Sequence, residues 1–196
     1  MNIPNFLSLF RLVLVPCFAV IYMSSIRHAS IYAGAIFLVA ALTDIIDGYI
    51  ARMYDKITKI GRILDPLADK LLQLTALACL SLKDVIPLIF CYIFIAKELL
   101  MIAGGMFMVN KLNDVMPSNL FGKILTFLMS ASIAAAIFFR EAVDSKYPDL
   151  FPILFGILAV LAIAVLIIYA VKYILCLSNK RDLLDSGLNK DEADKK

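Results

Sequence analysis

The 196-residue chain has no tryptophan and a single histidine, His28. Without Trp, any aromatic belt at a membrane–water boundary falls to Tyr and Phe. The four cysteines, Cys17, Cys79, Cys91 and Cys176, stand singly in apolar surroundings with no C-x-x-C spacing. That excludes a disulfide scaffold and a zinc ribbon, and leaves them as small packing or lipid-facing residues. Charge is also scarce: 18% of residues are charged, and the net charge of +3 carries no footprint of nucleic-acid binding. No basic residue precedes the apolar run that begins at Ile3, so a cleaved secretory signal is not expected. No internal repeat is visible.

What is abundant is hydrophobicity. At 62% hydrophobic residues, the chain stands far above the about 45–50% of soluble domains, which excludes disorder as well. Its charges must therefore sit in loops, or inside a membrane for a reason. At about 20 residues per crossing, this length holds about six helices and little else. Six apolar stretches answer that arithmetic, near 3–23, 29–51, 63–82, 85–109, 120–139 and 150–177. The fold class is thus all-α: a polytopic membrane protein with six transmembrane helices over residues 1–178, followed by a charged, solvated tail over 179–196. Six crossings put both termini on one face. That face carries ten basic residues (Arg52, Lys56, Lys59, Arg62, Lys111, Lys180, Arg181, Lys190, Lys195 and Lys196), and the other carries four (Arg27, Lys83, Arg140 and Lys146). The positive-inside rule then makes both termini cytoplasmic. His28 falls in an external loop and is assigned no chemistry.

The informative segment runs from Thr43 to Leu71. Asp44 and Asp47 are three apart near the end of the second helix, and Asp65 and Asp69 are four apart at the start of the third. Each spacing places a pair on one helical face, so two adjacent helices can converge four carboxylates on one point. Four such groups near lipid repel each other and are expensive to desolvate, so a cation is required. An oxygen-only donor set suits a hard ion, and two Mg²⁺ or Mn²⁺ ions would neutralise it. Two divalent ions can clamp a diphosphate and polarise the phosphorus under attack. Gly48 and Ala51 continue the stripe with almost no side chain, leaving room for a close ligand, and Gly61 offers a second bare position. Arg52, Lys59, Arg62 and Lys70 fit an anionic substrate at the same level. A lone Asp65-Pro66 could simply cap a helix, and Lys56 reads as a positive-inside anchor. A cation-coupled transporter is the alternative from another class, but it would usually show broken helices or repeated halves.

Asp44-x-x-Asp47-Gly48-x-x-Ala51-Arg52, then eight residues, then Gly61-x-x-x-Asp65-x-x-x-Asp69 resembles the signature of the CDP-alcohol phosphatidyltransferases. The flanks N-I-P-N-x-L-x-x-x-R (2–11) and L-D-P-L-A-D-K (64–70) are similar to the branch of phosphatidylglycerophosphate synthases and CDP-alcohol-type cardiolipin synthases. The resemblance implies an enzyme of a bacterial-type cell membrane, commonly a homodimer, with a polar cavity open to the cytoplasm. It implies that Asp44, Asp47, Asp65 and Asp69 ligate two Mg²⁺ or Mn²⁺ ions and that Asp69 is also the general base. It implies further that Gly48, Arg52 and Thr58 contact the CDP moiety of CDP-diacylglycerol, with Ala51 and Gly61 in the same stripe. An acceptor hydroxyl would attack the β-phosphorus and expel CMP.

The acceptor is written less plainly. Glycerol 3-phosphate needs convergent cations for its dianionic phosphate. The branch pattern of an R-E pair followed by G-L-R in helix four is met here by Lys97-Glu98 but then Ala103-Gly104-Gly105-Met106, with no arginine. The helix-five pattern keeps Gly122-Lys123 and Thr126 but has Met129 where the branch has glutamine. Arg11, Lys97 and Lys123 are the remaining candidates for the acceptor, although Lys97 can equally pair with adjacent Glu98 inside the bundle. Glycerol 3-phosphate is the leading acceptor. Phosphatidylglycerol, whose single negative charge needs fewer cations, is the alternative and would make the chain a cardiolipin synthase.

Overall fold

The structure is a computed structural model that describes the backbone of residues 3–54, 61–112 and 120–193, and the side chains of 8–43, 67–104, 120–172 and 174–175. Six α-helices and no strand are present among the described residues: α1 (Ile3–Met23), α2 (Ala29–Tyr54), α3 (Gly61–Leu82), α4 (Leu88–Leu112), α5 (Leu120–Asp144) and α6 (Leu150–Ala193). Each apolar stretch of the sequence became one helix. The ends differ where local chemistry overrides hydropathy.

The α3–α4 corner shows how. Asp84 N–H donates to Ser81 C=O at 3.1 Å, and Val85 N–H reaches back to Leu80 C=O at 2.9 Å. Asp84 takes a left-handed φ of 55° between them. This crossed pair of bonds closes α3, and burial of both Leu80 and Val85 seals it. Val85 and Ile86 are used up in the cap, and the residue before Pro87 is disfavoured from helical geometry. So α4 starts at Leu88 rather than at 85. His28 does the matching job between α1 and α2: at φ 65° its carbonyl accepts from Ile31 and Tyr32 N–H. The far end of α6 differs most, because the helical backbone continues to Ala193 through the charged stretch. Nothing there stops it, since the stretch contains no proline and only one glycine, Gly187.

The helices pack around α3, which touches α1, α2, α4 and α5; α6 closes the bundle against α4 and α5. On α3, Ala68, Leu72, Ala76 and Leu80 recur every fourth residue and are fully buried or nearly so. Between α1 and α2, Phe18 stacks on Tyr22 with centroids 5.6 Å apart and meets Phe37 at 6.0 Å. Phe151 and Phe155 of α6 complete the core. The outward faces are as apolar as the interior: Val20, Phe127 and Val160 are 70%, 71% and 68% exposed. Among the described residues, two helical stretches, Leu120–Asp144 and Leu150–Lys172, are long and apolar enough to cross a membrane.

Candidate active site

Asp44 and Asp47 lie on α2, and Asp65 and Asp69 on α3, two helices that pack against each other. Asp44 and Asp47 precede the end of α2 by ten and seven residues, and Asp65 and Asp69 follow the start of α3 by four and eight. At 1.5 Å per residue these are distances of about 6–15 Å from the linked helix ends, so both pairs occupy one end of the helix pair. The backbone of Gly48, Ala51 and Arg52 continues α2 toward that end, and Gly61 is the first residue of α3. The side chains of Asp44, Asp47, Arg52 and Asp65 lie outside the described residues, as does Thr58 altogether. Asp69 is described and half-buried.

Among the described residues no three potential ligands of His, Cys, Asp or Glu type converge, since three of the four aspartate side chains fall outside them. The fit of a metal therefore rests on backbone placement and donor chemistry. Two acid pairs on packed helices, at one end and with no cysteine or histidine between Asp44 and Asp69, suit hard divalent ions.

The three acceptor candidates are placed very differently. Arg11 is completely buried on α1, one turn after the equally buried Ser8. Lys123 is exposed near the start of α5 and makes no ion pair among the described residues. Lys97 is buried on α4 and pairs with its neighbour Glu98. The same Glu98 oxygen, Oε1, also accepts from Lys70 Nζ of α3 at 2.9 Å. One carboxylate oxygen thus holds two ammonium groups from two helices. One turn further along α3, the buried Gln73 donates from Nε2 to Ser130 Oγ of α5 at 2.6 Å.

The adjacency of Lys97 and Glu98 was readable from sequence. The reach of Lys70 to Glu98 and the Gln73–Ser130 bond were not. Their only sequence signal is a lone glutamine and a single Lys-Glu pair, each flanked by apolar helical residues.

Comparison with known proteins places the chain. The family model for CDP-alcohol phosphatidyltransferase matches residues 1–177. The CDP-diacylglycerol–glycerol-3-phosphate 3-phosphatidyltransferase of Bacillus subtilis is 31% identical over 164 residues, covering 76% of this chain and 84% of its own. A protein of the same name from Aquifex aeolicus is 35% identical over 136 residues, 68% of this chain and 74% of its own. Another, from Blochmanniella floridana, reaches 42% identity over 80 residues, 41% of this chain and 42% of its own. The match spans nearly all of the helical bundle, both aspartate pairs included, and the chain belongs to the CDP-alcohol phosphatidyltransferase family.

Proposed function

We propose that this protein transfers the phosphatidyl group of CDP-diacylglycerol to sn-glycerol 3-phosphate, giving phosphatidylglycerophosphate and CMP. The observation that carries this reading is the name shared by the Bacillus subtilis and Aquifex aeolicus relatives, each matched over more than two thirds of this chain. The aspartate placement on α2 and α3 supports the same chemistry.

Asp44, Asp47, Asp65 and Asp69 would hold two divalent ions, Mg²⁺ or Mn²⁺. Bound there, the ions supply charge neutralisation of the diphosphate and polarisation of its phosphorus. Gly48, Ala51, Arg52, Thr58 and Gly61 line the place of the CDP moiety, where bare backbone allows close approach and the arginine meets phosphate. Asp69 takes the proton from the acceptor hydroxyl as its oxygen attacks the β-phosphorus. The new P–O bond forms as the bond from that phosphorus to the bridging oxygen breaks, and CMP leaves with the electron pair. Arg11, Lys97 and Lys123 are the cations available to an acceptor phosphate.

The bundle is read as six membrane crossings in one domain over 1–178, with the 179–196 segment and both termini on the cytoplasmic side and a polar cavity open to it. Support comes from the apolar outer faces of α1, α2, α4, α5 and α6, which a water-soluble bundle would not leave uncovered. A homodimer is part of the same reading.

An acceptor panel tests the function. Purified protein in detergent with Mg²⁺ or Mn²⁺ is given CDP-diacylglycerol and, separately, glycerol 3-phosphate, phosphatidylglycerol, serine or inositol phosphate. Product mass should show phosphatidylglycerophosphate. Cardiolipin from phosphatidylglycerol would transfer the assignment to a cardiolipin synthase, and no CMP release with any alcohol would end the reading.

A further inference from the structure

Glu98 is the only acidic residue of α4. It is buried, and a buried carboxylate is retained only where it is paired. Here it is paired twice, by Lys97 from its own helix and by Lys70 from α3, both on Oε1. Lys70 directly follows Asp69 and is the cation nearest to it in sequence. A lysine carries its charge on a flexible four-carbon stem and can turn to whichever carboxylate attracts it most. An ammonium drawn onto Asp69 would compete with a divalent ion for the same oxygens.

We propose that Glu98 is a positioning residue: its carboxylate draws the Lys70 ammonium across to α4 and so keeps it off Asp69. The inference rests on the reading of Asp69 as a metal ligand. Lys97 strengthens the hold, because it keeps Glu98 charged and oriented in a buried place. The Gln73–Ser130 bond one turn away fixes the rotation of α3, and with it the direction in which Lys70 reaches Glu98. A one-residue slip would turn α3 by about 100° and leave the Gln73 amide without its partner in an apolar layer, which makes other registers costly.

The test measures Mn²⁺ binding to the full-length protein in detergent, without substrate, by electron paramagnetic resonance of the free ion, alongside kcat and the KM for CDP-diacylglycerol. Glu98→Gln should weaken Mn²⁺ binding by about tenfold or more, the usual range for losing a group that orients a metal ligand. At saturating Mn²⁺ its KM for CDP-diacylglycerol should stay within about twofold of wild type, because the substrate contacts are unaltered. Lys70→Met should bind Mn²⁺ nearly as wild type does, since no ammonium is released. The double variant Lys70→Met/Glu98→Gln should recover most of the affinity lost in Glu98→Gln alone. A merely structural tie gives the opposite order, with the double variant at least as impaired as the single one. That order, or unaltered Mn²⁺ binding in Glu98→Gln, overturns the proposal. Should Glu98→Gln not fold, the double variant carries the test, and Mn²⁺ binding about tenfold weaker than wild type overturns it. Asp69→Asn, measured in parallel, separates the two levels. If it loses Mn²⁺ affinity while Glu98→Gln does not, only the role of Glu98 fails; if it binds as wild type, the ligand assignment falls with it.

Discussion

Two ion-paired regions lie at different depths of the bundle, and they use the same chemistry to different effect. In one, near the middle of both helices, Glu98 sits buried between Lys70 and Lys97, tying α3 to α4. In the other, Arg140 and Asp144 pair at 3.1 Å across one turn of α5, with both side chains about a third or more exposed. Beside that pair Lys83 rests its ammonium 4.7 Å from the Tyr22 ring centroid, at the corner where α3 gives way to α4. An exposed i,i+4 pair adds little, because water and salt already serve both charges. A buried pair adds little net energy either, yet breaking it leaves a charge with no solvent, which is expensive. Burial therefore converts an ordinary ion pair into a constraint on how two helices sit. The α3 residue of the buried pair, Lys70, directly follows Asp69.

The sharpest test of this contrast exchanges one aspartate in or beside each pair. Asp69→Asn should lower the CMP-release rate by about 10²–10⁴-fold, the range for loss of a general base. Asp144→Asn, with only an exposed pair to lose, should leave that rate within about twofold of wild type. Stability comes next. Glu98→Gln leaves the buried Lys97 ammonium without its counter-charge and should cost about 3–5 kcal/mol, read as thermal unfolding in detergent. Asp144→Asn should cost at most about 1 kcal/mol by the same measurement.

A smaller effect separates packed from open helix faces. A methyl group on Gly34 of α2 would stand 2.5 Å from Phe138 Cζ of α5, so Gly34→Ala must displace the ring. It should cost about 1–3 kcal/mol. Gly104 on α4 faces open space with nothing within 4 Å. Gly104→Ala should therefore be neutral or stabilising by about 0.5–1 kcal/mol, and an equal loss at both glycines would erase the distinction.

The helices were legible before the structure because each apolar stretch is bounded by charge or by proline, and hydropathy alone locates such stretches. Their ends were not, because Asp84 and His28 adopt left-handed backbone at the corners, and hydropathy carries no signal for a single residue's φ. Asp44, Asp47, Asp65 and Asp69 stand out in the sequence as a candidate site because in-phase acids in apolar helices are costly without a cation. Arg11, Lys97 and Lys123 are all acceptor candidates in the sequence, which sets only Lys97 apart through its neighbour Glu98. Packing separates them, with Arg11 completely buried, Lys97 in a pair and Lys123 exposed.

By itself, the sequence determined the helical class, the number of helices and the two acid pairs, since those follow from composition, length and spacings of three and four residues. The tertiary structure alone decided that α3 lies at the centre of the bundle and that Lys70 crosses to Glu98 while Gln73 crosses to Ser130. The physical reason is one of range. Periodicity reports which face of a helix avoids water, whereas the partner that a buried polar group finds 28 or 57 residues away depends on how whole helices dock.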